Sequence, residues 1–257
     1  MSSGDVLLEA DDLRSGFGSN AVLHGVSFQV RRGEIAAILG LNGAGKSVTL
    51  KVVGGVVPLW SGRLTFGSRD ITSISAEQRV ERGMAHVPQG RQVFPELTVE
   101  QNLRLGAYTL RRRDRDRYTA VLASVFERFP ILGDRRKQFA GTLSGGEQAM
   151  LAVSRALMSE PKLILVDEAS AGLAPAMVRQ LFDMLRAVNE TGVTILLVEQ
   201  NVTFSLEIAD RAHIMQRGRI VYDGDVPSLD SDKVAHLLGV GRLLGKGVRD
   251  AVVRRAR

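Results

Sequence analysis

The sequence predicts an α/β fold with a mostly parallel sheet, an antiparallel β subdomain and a helical subdomain. Residues 34–39 and 162–167 are short apolar runs, and an unbroken apolar strand is typical of a parallel sheet buried on both faces. Residues 26–31 alternate between apolar and polar side chains, which is typical of a half-buried antiparallel strand. A chain of 257 residues suffices for one substantial core and a small second lobe.

The amino-acid composition is typical of a globular protein and excludes several kinds of site. Hydrophobic residues are 44% and charged residues 24% of the chain, ordinary values for a globular protein. The absence of cysteine excludes disulfides, cysteine-ligated zinc and a thiol nucleophile. No apolar run reaches the roughly 18–20 residues of a membrane span, and residues 1–6 lack the features of a signal peptide. We therefore expect a cytoplasmic protein, or one bound to the inner side of a membrane through other chains.

The chain is basic, with a net charge of +6 and a pI of about 10.0. An anionic partner such as nucleic acid or lipid headgroups would explain this charge, and so would an arginine-rich composition combined with a nucleotide site. Aromatic residues are only 5% of the chain and do not interleave with basic ones, so we expect no nucleic-acid partner.

Residues 40–47, Gly-Leu-Asn-Gly-Ala-Gly-Lys-Ser, fit the P-loop pattern that binds nucleotide phosphates. Glycines let backbone N–H groups approach phosphate oxygens, Lys46 would reach the β- and γ-phosphates, and Ser47 would hold Mg²⁺. An apolar strand precedes the loop, and the helix predicted over Lys46–Val53 adds its dipole to the anion site. The sequence therefore predicts a nucleoside triphosphate held by Gly40, Leu41, Asn42, Gly43, Ala44, Gly45, Lys46 and Ser47.

Two more positions near the predicted strands are candidates for this site. Phe17 lies in a loop between two early strands, where it could stack on an adenine ring or plug the sheet. Gln89 follows a strand predicted within residues 83–87. It is either an exposed amide or a ligand of Mg²⁺ or of the attacking water, if it lies on the P-loop side of the sheet.

Residues 95–142 change to helical periodicity. Capping boxes predict helix starts at Ser75 and, within this region, at Thr98. Apolar residues at helical spacing lie on both sides of an arginine-rich run at residues 111–117. We interpret the region as a helical insertion and the run as a solvated helix end or connector, with a lipid-headgroup contact as the alternative.

Residues 143–148, Leu-Ser-Gly-Gly-Glu-Gln, contain a further capping box that starts a helix running to about Ser159. Two glycines in the first turn are costly to a helix, but they leave bare N–H groups that another backbone or a ligand could approach. The segment is therefore a candidate second phosphate site, formed by Ser144, Gly145, Gly146 and Glu147.

Asp167 and Glu168 end an apolar strand, at the edge where parallel sheets bind ligands. Asp167 would hold Mg²⁺ through water, and Glu168 would act as general base for the attacking water. Without a P-loop in the chain, a helix N-cap would be the preferred interpretation of this acidic pair.

The C-terminal part repeats the strand pattern. Residues 193–198 form an apolar run that ends in Glu199-Gln200-Asn201, and residues 212–224 predict a hairpin that turns at Arg217-Gly218. His213 is expected to be a core or edge residue of that hairpin. The basic tail at residues 241–257 is expected to be a frayed helix or an interaction tail.

In this order and spacing, the motifs resemble the ATP-binding cassette of ABC transporters over nearly the whole chain. The resemblance implies a P-loop NTPase (RecA-like) core at about residues 1–94 and 155–240 and a helical lobe at about residues 95–154, which together form one ATPase domain over residues 1–240. It implies ATP and Mg²⁺ as cofactors, with Glu168 and Gln200 as catalytic residues. It also implies Mg²⁺ ligands at Ser47, Gln89 and Asp167. Two cassettes would pair head to tail, as identical or different chains, so that Gly145 and Gly146 meet the ATP of the partner.

Within the family, the chain looks most like the ATPases of branched-chain (hydrophobic) amino-acid importers. The similar stretches are residues 87–94, 97–103, 141–148, 172–175 and 197–201. The likeness implies two separate membrane permease subunits and, indirectly, an extracytoplasmic solute-binding protein, with the cassette on the cytoplasmic face of the inner membrane. The alternatives are an importer of urea or another small solute, a soluble ABC ATPase acting on nucleic acid or ribosomes, and a module that binds ATP but hardly hydrolyses it.

Several positions depart from the usual family pattern: Ala169 replaces proline after the catalytic glutamate, Ser170-Ala171 replaces a commoner pair, Val48 stands where threonine is common, and Phe17 replaces tyrosine. Gln200 stands where most cassettes carry histidine, whereas one of the two ATPase types in the branched-chain importers typically has Glu-Gln-Asn. A glutamine amide can donate a hydrogen bond but cannot take a proton. We therefore expect a slow composite site here and a faster one in a partner cassette that carries histidine.

Overall fold

The computed structural model describes residues 5–229 and 231–238, so the predicted basic tail at residues 241–257 lies outside the described part. The strands are β1 Val6–Phe17, β2 Asn20–Arg31, β3 Ile35–Leu39, β4 Ser61–Phe66, β5 Arg69–Asp70, β6 Met84–Val87, β7 Leu163–Asp167, β8 Thr194–Glu199, β9 Arg211–Gln216 and β10 Arg219–Asp225. The helices are α1 Lys46–Val53, α2 Ala76–Glu81, α3 Val99–Gly106, α4 Tyr108–Arg113, α5 Arg115–Arg128, α6 Pro130–Asp134, α7 Gly145–Leu157, α8 Pro175–Asn189, α9 Val202–Ile208 and α10 Ser231–Leu237.

A six-stranded sheet forms the centre of the fold, with the strand order β10-β9-β3-β8-β7-β6. Its strands are parallel except for β10, which pairs antiparallel with β9. Every residue of β3, β7 and β8 is buried, as expected for parallel strands covered on both faces. Their carboxyl ends lie at one edge of the sheet, which brings the P-loop, Asp167 and Gln200 to the same side of the molecule.

A second sheet is antiparallel and has the order β2-β1-β4-β5. Apolar and polar residues alternate along residues 26–30 of β2, and Val26, Phe28 and Val30 are buried. The sequence prediction of an α/β fold with an antiparallel β subdomain is therefore confirmed.

The two faces of the six-stranded sheet carry separate cores. On one face, side chains such as Ile38 and Leu165 pack with α1 and the inner face of the antiparallel sheet. On the other face, side chains such as Leu197 pack with apolar residues of α3, α7, α8 and α9. The P-loop helix α1 is thus enclosed between two sheets, which fixes the position of its N-terminus.

Helix starts follow the sequence signals closely. The capping boxes at Ser75, Thr98 and Ser144 are all formed. The arginine-rich run forms the end of α4 and the start of α5, and the two helices separate at Asp114, whose side chain accepts a hydrogen bond from the backbone N–H of Arg117 at 2.8 Å. No helix in the described ranges is both long and apolar enough to cross a membrane.

Arg79 ties α2 to the end of the P-loop helix. Its side chain is buried and donates hydrogen bonds to the carbonyl oxygens of Val52 and Val53 at 2.7 and 2.6 Å, and to that of Ile71 at 2.9 Å. Burial lowers the pKa of Arg79, but the C-terminal end of α1 carries partial negative charge that favours the cation. Arg79 therefore caps the C-terminus of α1 by donating hydrogen bonds to its last carbonyl groups.

His213 is a core residue, as one of the two sequence interpretations expected. It is fully buried in β9, its ring centroid lies 5.3 Å from that of Phe28, and its Nδ1 lies 3.2 Å from a carboxylate oxygen of Asp223.

Candidate functional site

The P-loop connects β3 to α1, and its glycines are required by backbone conformation or by the space around them. Gly45 precedes α1 with φ 104°, in the left-handed region that favours glycine. A Cβ atom on Gly40 would lie 2.4 Å from the carbonyl oxygen of Met215. The turn of the β9–β10 hairpin supports the loop, because the N–H of Gly218 donates to the carbonyl oxygen of Ala44 at 2.8 Å.

Lys46 is held over this loop and is 4% exposed. Its ammonium group donates to the carbonyl oxygens of Gly40 and Leu41 at 3.0 and 3.2 Å. It also lies 3.6 Å from Oε1 of Glu168. Phosphate oxygens could replace these carbonyl and carboxylate contacts, because an ammonium group forms strong charge-assisted hydrogen bonds with phosphate.

Ser47 and Asp167 form a pair that fits a divalent cation. The Ser47 hydroxyl donates to Oδ1 of Asp167 at 2.7 Å, and the Asp167 side chain is fully buried. Its Oδ2 is buried without a hydrogen-bond partner, and burial raises the pKa of Asp167. An unpartnered carboxylate oxygen beside a hydroxyl is a donor set that suits Mg²⁺. No three His, Asp or Glu side chains of the described residues converge as a metal cluster, so the nucleotide and water would supply the other ligands.

Glu168 is the meeting point of the site. It is 6% exposed, and its Oε2 accepts hydrogen bonds from the amide nitrogens of Gln89 and Gln200, both at 2.8 Å. Its backbone has φ 44°, a left-handed conformation that costs a non-glycine residue about 1–3 kcal/mol and is typical of functional sites. Gln89 and Gln200, which the sequence places among the candidate site residues, therefore both contact Glu168 directly.

A hollow of about 380 Å³ lies over the P-loop. Its lining includes Asn42, Gly43, Gly45, Lys46, Ser47, Gln89, Glu168 and Gln200. A neighbouring hollow of about 760 Å³ shares Asn42, Glu168 and Gln200 and extends to Gly40, Leu41 and Ser170. Most of the residues predicted to bind nucleotide are thus brought together. Phe17 lies at the end of β1 and is 56% exposed, so its ring face is open to stacking.

The candidate second phosphate site lies elsewhere. None of residues 144–147 lines either hollow. The Ser144 hydroxyl accepts from the N–H of Glu147 at 3.3 Å, and the Glu147 carboxylate accepts from the N–H of Ser144 at 2.8 Å. Glu147 also pairs with Arg135 at 3.1 Å. This segment therefore cannot complete the P-loop hollow of its own chain in this conformation.

Two functional candidates are absent from the sequence-based set. Glu199 is a buried carboxylate at the end of β8, and burial raises its pKa. The sequence does contain a signal for Glu199, because an acidic residue ends the apolar strand β8 just as Asp167 ends β7. Arg91 donates to the carbonyl oxygen of Ala171 at 3.3 Å and approaches Gly145. Nothing in its position in the sequence indicated these two contacts.

The family model described as ABC transporter matches residues 23–171, more than half of the chain. The chain belongs to the ABC transporter family. Among its relatives, the high-affinity branched-chain amino acid transport ATP-binding protein BraG of Pseudomonas aeruginosa is 42% identical over 229 residues, which are 89% of this chain and 97% of BraG. The probable branched-chain amino acid transport ATP-binding protein LivF of Archaeoglobus fulgidus is 37% identical, over 87% of this chain and 94% of LivF. The lipopolysaccharide export system ATP-binding protein LptB of Haemophilus influenzae is 31% identical, over 88% of this chain and 94% of LptB.

Solved structures agree with this assignment. An ATP-binding cassette of an ABC transporter in its ADP conformation has a TM-score of 0.80 and 26% identity, over 96% of this chain and 98% of that one. A nucleotide-free ATP-binding cassette has a TM-score of 0.79 and 26% identity, over 93% and 97% of the two chains. The resemblance found in the motifs is confirmed, and this chain is an ABC ATPase that binds nucleotide.

Proposed function

We propose that this ABC ATPase is the ATP-hydrolysing subunit of an importer of branched-chain or other hydrophobic amino acids. The observation that carries the catalytic part is the junction at Glu168, where Lys46, Gln89 and Gln200 approach one carboxylate. The observation that favours the cargo is the likeness to two branched-chain amino acid transport ATPases at 42% and 37% identity. The identity to the lipopolysaccharide export ATPase is 31%.

The residues of the site divide the chemistry among them. Backbone N–H groups of residues 40–45 and the Lys46 ammonium bind the triphosphate, and Phe17 stacks on the base. Ser47, Asp167 and Gln89 would hold Mg²⁺, which neutralises developing phosphate charge when bound. Glu168 accepts a proton from the attacking water as the water oxygen bonds to the γ-phosphorus and ADP leaves. Gln200 orients that water and the γ-phosphate by donating its amide hydrogens.

Glu168 and a bound triphosphate would compete for Lys46. The Glu168 carboxylate lies 3.6 Å from Lys46 and accepts hydrogen bonds from the side-chain amides of Gln89 and Gln200. A triphosphate that engages Lys46 removes one of these partners and frees the carboxylate to turn toward water. Nucleotide binding would thus prepare the base for catalysis.

A second cassette is needed to complete the site. Ser144, Gly145, Gly146 and Glu147 do not line the P-loop hollow of their own chain, and α7 presents a helix N-terminus, which favours anions. Head-to-tail pairing would bring this N-terminus onto the ATP of the partner. The partner is a copy of this chain or a different cassette.

A surface groove between the sheet and the helical insertion is the proposed docking place for the membrane permeases. The groove has a volume of about 480 Å³. Its lining includes the exposed apolar side chains Val80, Phe94, Leu105 and Tyr108. Clusters of exposed apolar residues are typical of protein interaction sites. One permease subunit would bind this groove on each cassette, and the two permeases would hold the cassette pair at the cytoplasmic face of the inner membrane, with a solute-binding protein serving the outer side.

The division of the chain follows from this assignment. We assign residues 1–240 to one ATPase domain, with the nucleotide core at about residues 1–94 and 155–240 and the helical lobe at about residues 95–154. Helices α3 to α7 lie in or at the border of that lobe. The lobe would transmit closure of the cassette pair to the permeases.

Co-purification from membranes in mild detergent tests the proposal. The full chain serves as bait with MgATP, in its natural form and as Glu168→Gln, which should trap the closed pair. We expect two permease subunits and a second cassette to be recovered, in larger amount with the variant. Recovery of ribosomes or nucleic acid without membrane proteins would contradict the importer assignment.

A further inference from the structure

Glu199 joins the two loops that carry Glu168 and Gln200. Its side chain is 1% exposed. One carboxylate oxygen, Oε1, accepts from the backbone N–H of Ser170 at 2.9 Å. The other, Oε2, accepts from the Ser170 hydroxyl at 2.6 Å and from the backbone N–H of Gln200 at 3.3 Å. A single buried carboxylate therefore binds one loop twice and the other loop once.

These hydrogen bonds are the polar partners that satisfy the carboxylate. Within residues 5–229 and 231–238, no basic side chain forms an ion pair with Glu199. A buried carboxylate is tolerated when several donors converge on it, and its loss would leave those donors without acceptors. The hydrogen-bond donors of Ser170 and Gln200 thus make it possible for the Glu199 carboxylate to remain buried.

The position of these bonds matters because the turn at Glu168 is strained. A non-glycine residue with φ 44° keeps that conformation only when its surroundings hold it. The end of β8 supplies the restraint on both sides of the turn. The carbonyl oxygen of Val198 accepts from the N–H of Glu168 at 2.8 Å, and Glu199 binds Ser170, two residues further on.

The same strand end also carries Gln200. Its amide nitrogen reaches Oε2 of Glu168 at 2.8 Å, so the two side chains meet only if the two loops keep their relative position. Glu199 holds the two loops in that position and lines the neighbouring hollow of about 760 Å³ rather than the hollow over the P-loop. Given the ATPase activity proposed above, we propose that Glu199 is a positioning residue that aligns Glu168 with Gln200 for hydrolysis.

Steady-state ATP hydrolysis by the assembled complex, carrying either the natural chain or its Glu199→Gln variant, tests this role. A glutamine of the same size presents one oxygen and one NH₂ group, so the backbone N–H of Ser170 or of Gln200 loses its acceptor. We expect kcat to fall by about 10- to 100-fold, as misplacement of reacting groups does, while KM for ATP and the melting temperature stay close to those of the natural chain. Glu190→Gln is the matched control, since Glu190 follows α8 with a side chain that is 66% exposed and pairs with Arg186 in the last turn of that helix.

Ser170→Ala is a second variant that tests the same role even if the Glu199→Gln protein does not fold. It removes the 2.6 Å bond and leaves the backbone bond of Ser170 intact, so we expect a smaller fall in kcat. The kcat of the double variant should be no lower than that of Glu199→Gln alone, because the effects of two substitutions that break the same contact are not additive.

Three results separate the possible failures. If the natural chain does not hydrolyse ATP in its complex, the proposed function itself is contradicted. If it does, and kcat of either single variant stays within twofold of the natural value, the positioning role is overturned. A variant that loses kcat, nucleotide affinity and melting temperature together would also overturn it, since Glu199 would then be a general stabilising residue.

Discussion

Replacing Glu168 by glutamine should separate nucleotide binding from hydrolysis. Glutamine has the size of glutamate, and its carbonyl oxygen can accept from both Gln89 and Gln200 at the place of Oε2. Its NH₂ group would then face Lys46, which lies 3.6 Å from the present Oε1. The fold should therefore be retained, while the negative charge beside Lys46 is lost.

The expected effect on ATP affinity follows from that charge. At 3.6 Å, and with an effective dielectric constant of about 20, the attraction between Lys46 and Glu168 is about 4–5 kcal/mol. An arriving phosphate replaces Glu168 as the partner of Lys46 and is repelled by the remaining carboxylate. If the substitution makes the free energy of ATP binding more favourable by about 1 kcal/mol, the Kd for ATP should fall about fivefold. Loss of the general base should lower turnover by about 10²- to 10⁴-fold.

Two measurements check these opposite effects, with Kd measured on the purified chain and turnover measured on the assembled complex of cassettes and permeases. Binding of a fluorescent ATP analogue gives Kd, and phosphate release gives turnover, with the exposed Glu190→Gln variant as control. Turnover of Glu168→Gln within threefold of the natural chain would refute the role of Glu168 as base. A Kd that rises tenfold would refute the proposed competition between Glu168 and phosphate for Lys46.

Three other outcomes are expected. Gln200→His should raise ATP turnover in the assembled complex, because imidazole can both donate a hydrogen bond and take a proton; an unchanged rate, measured by phosphate release, would count against the slow-site hypothesis. Arg79→Met should lower the free energy of unfolding by about 2–4 kcal/mol, since several buried carbonyl groups lose their donor; chemical denaturation beside the exposed control Arg63→Met checks this, and a loss below 1 kcal/mol would contradict it. Burial lowers the pKa of His86 to about 4, so the folded state resists protonation. Stability should fall as the pH drops below 6.5, level off near 4, and lose about 1–2 kcal/mol in total. His86→Gln should flatten this part of the stability curve, and an equal slope in the variant would assign it to other groups.

Much of this architecture is readable from the sequence because its signals are local. The P-loop, the capping boxes at Ser75, Thr98 and Ser144, and the apolar strands before Asp167 and Gln200 each depend on a few adjacent residues. The parallel arrangement then follows, since ligand-binding residues must meet at the carboxyl ends of the strands. These parts of the fold were predicted correctly.

Other features depend on contacts between distant segments and were not predicted. Arg79 is an ordinary helix residue in the sequence, and only the packing of α2 against α1 reveals its role as a cap. Glu199 lies 29 residues from Ser170 along the chain, so no pattern of spacing indicates their contact. The convergence of Gln89 and Gln200 on one oxygen of Glu168 is likewise a property of the folded sheet edge.

Uptake of radiolabelled leucine tests the central claim most directly. Membrane vesicles would contain the permease subunits that co-purify with this chain, and ATP would be supplied on the cassette side. We predict ATP-dependent uptake with the natural chain and a loss of at least about tenfold with Glu168→Gln, at equal amounts of assembled complex. Equal uptake by the two chains would contradict the claim that ATP hydrolysis at Glu168 drives amino-acid import.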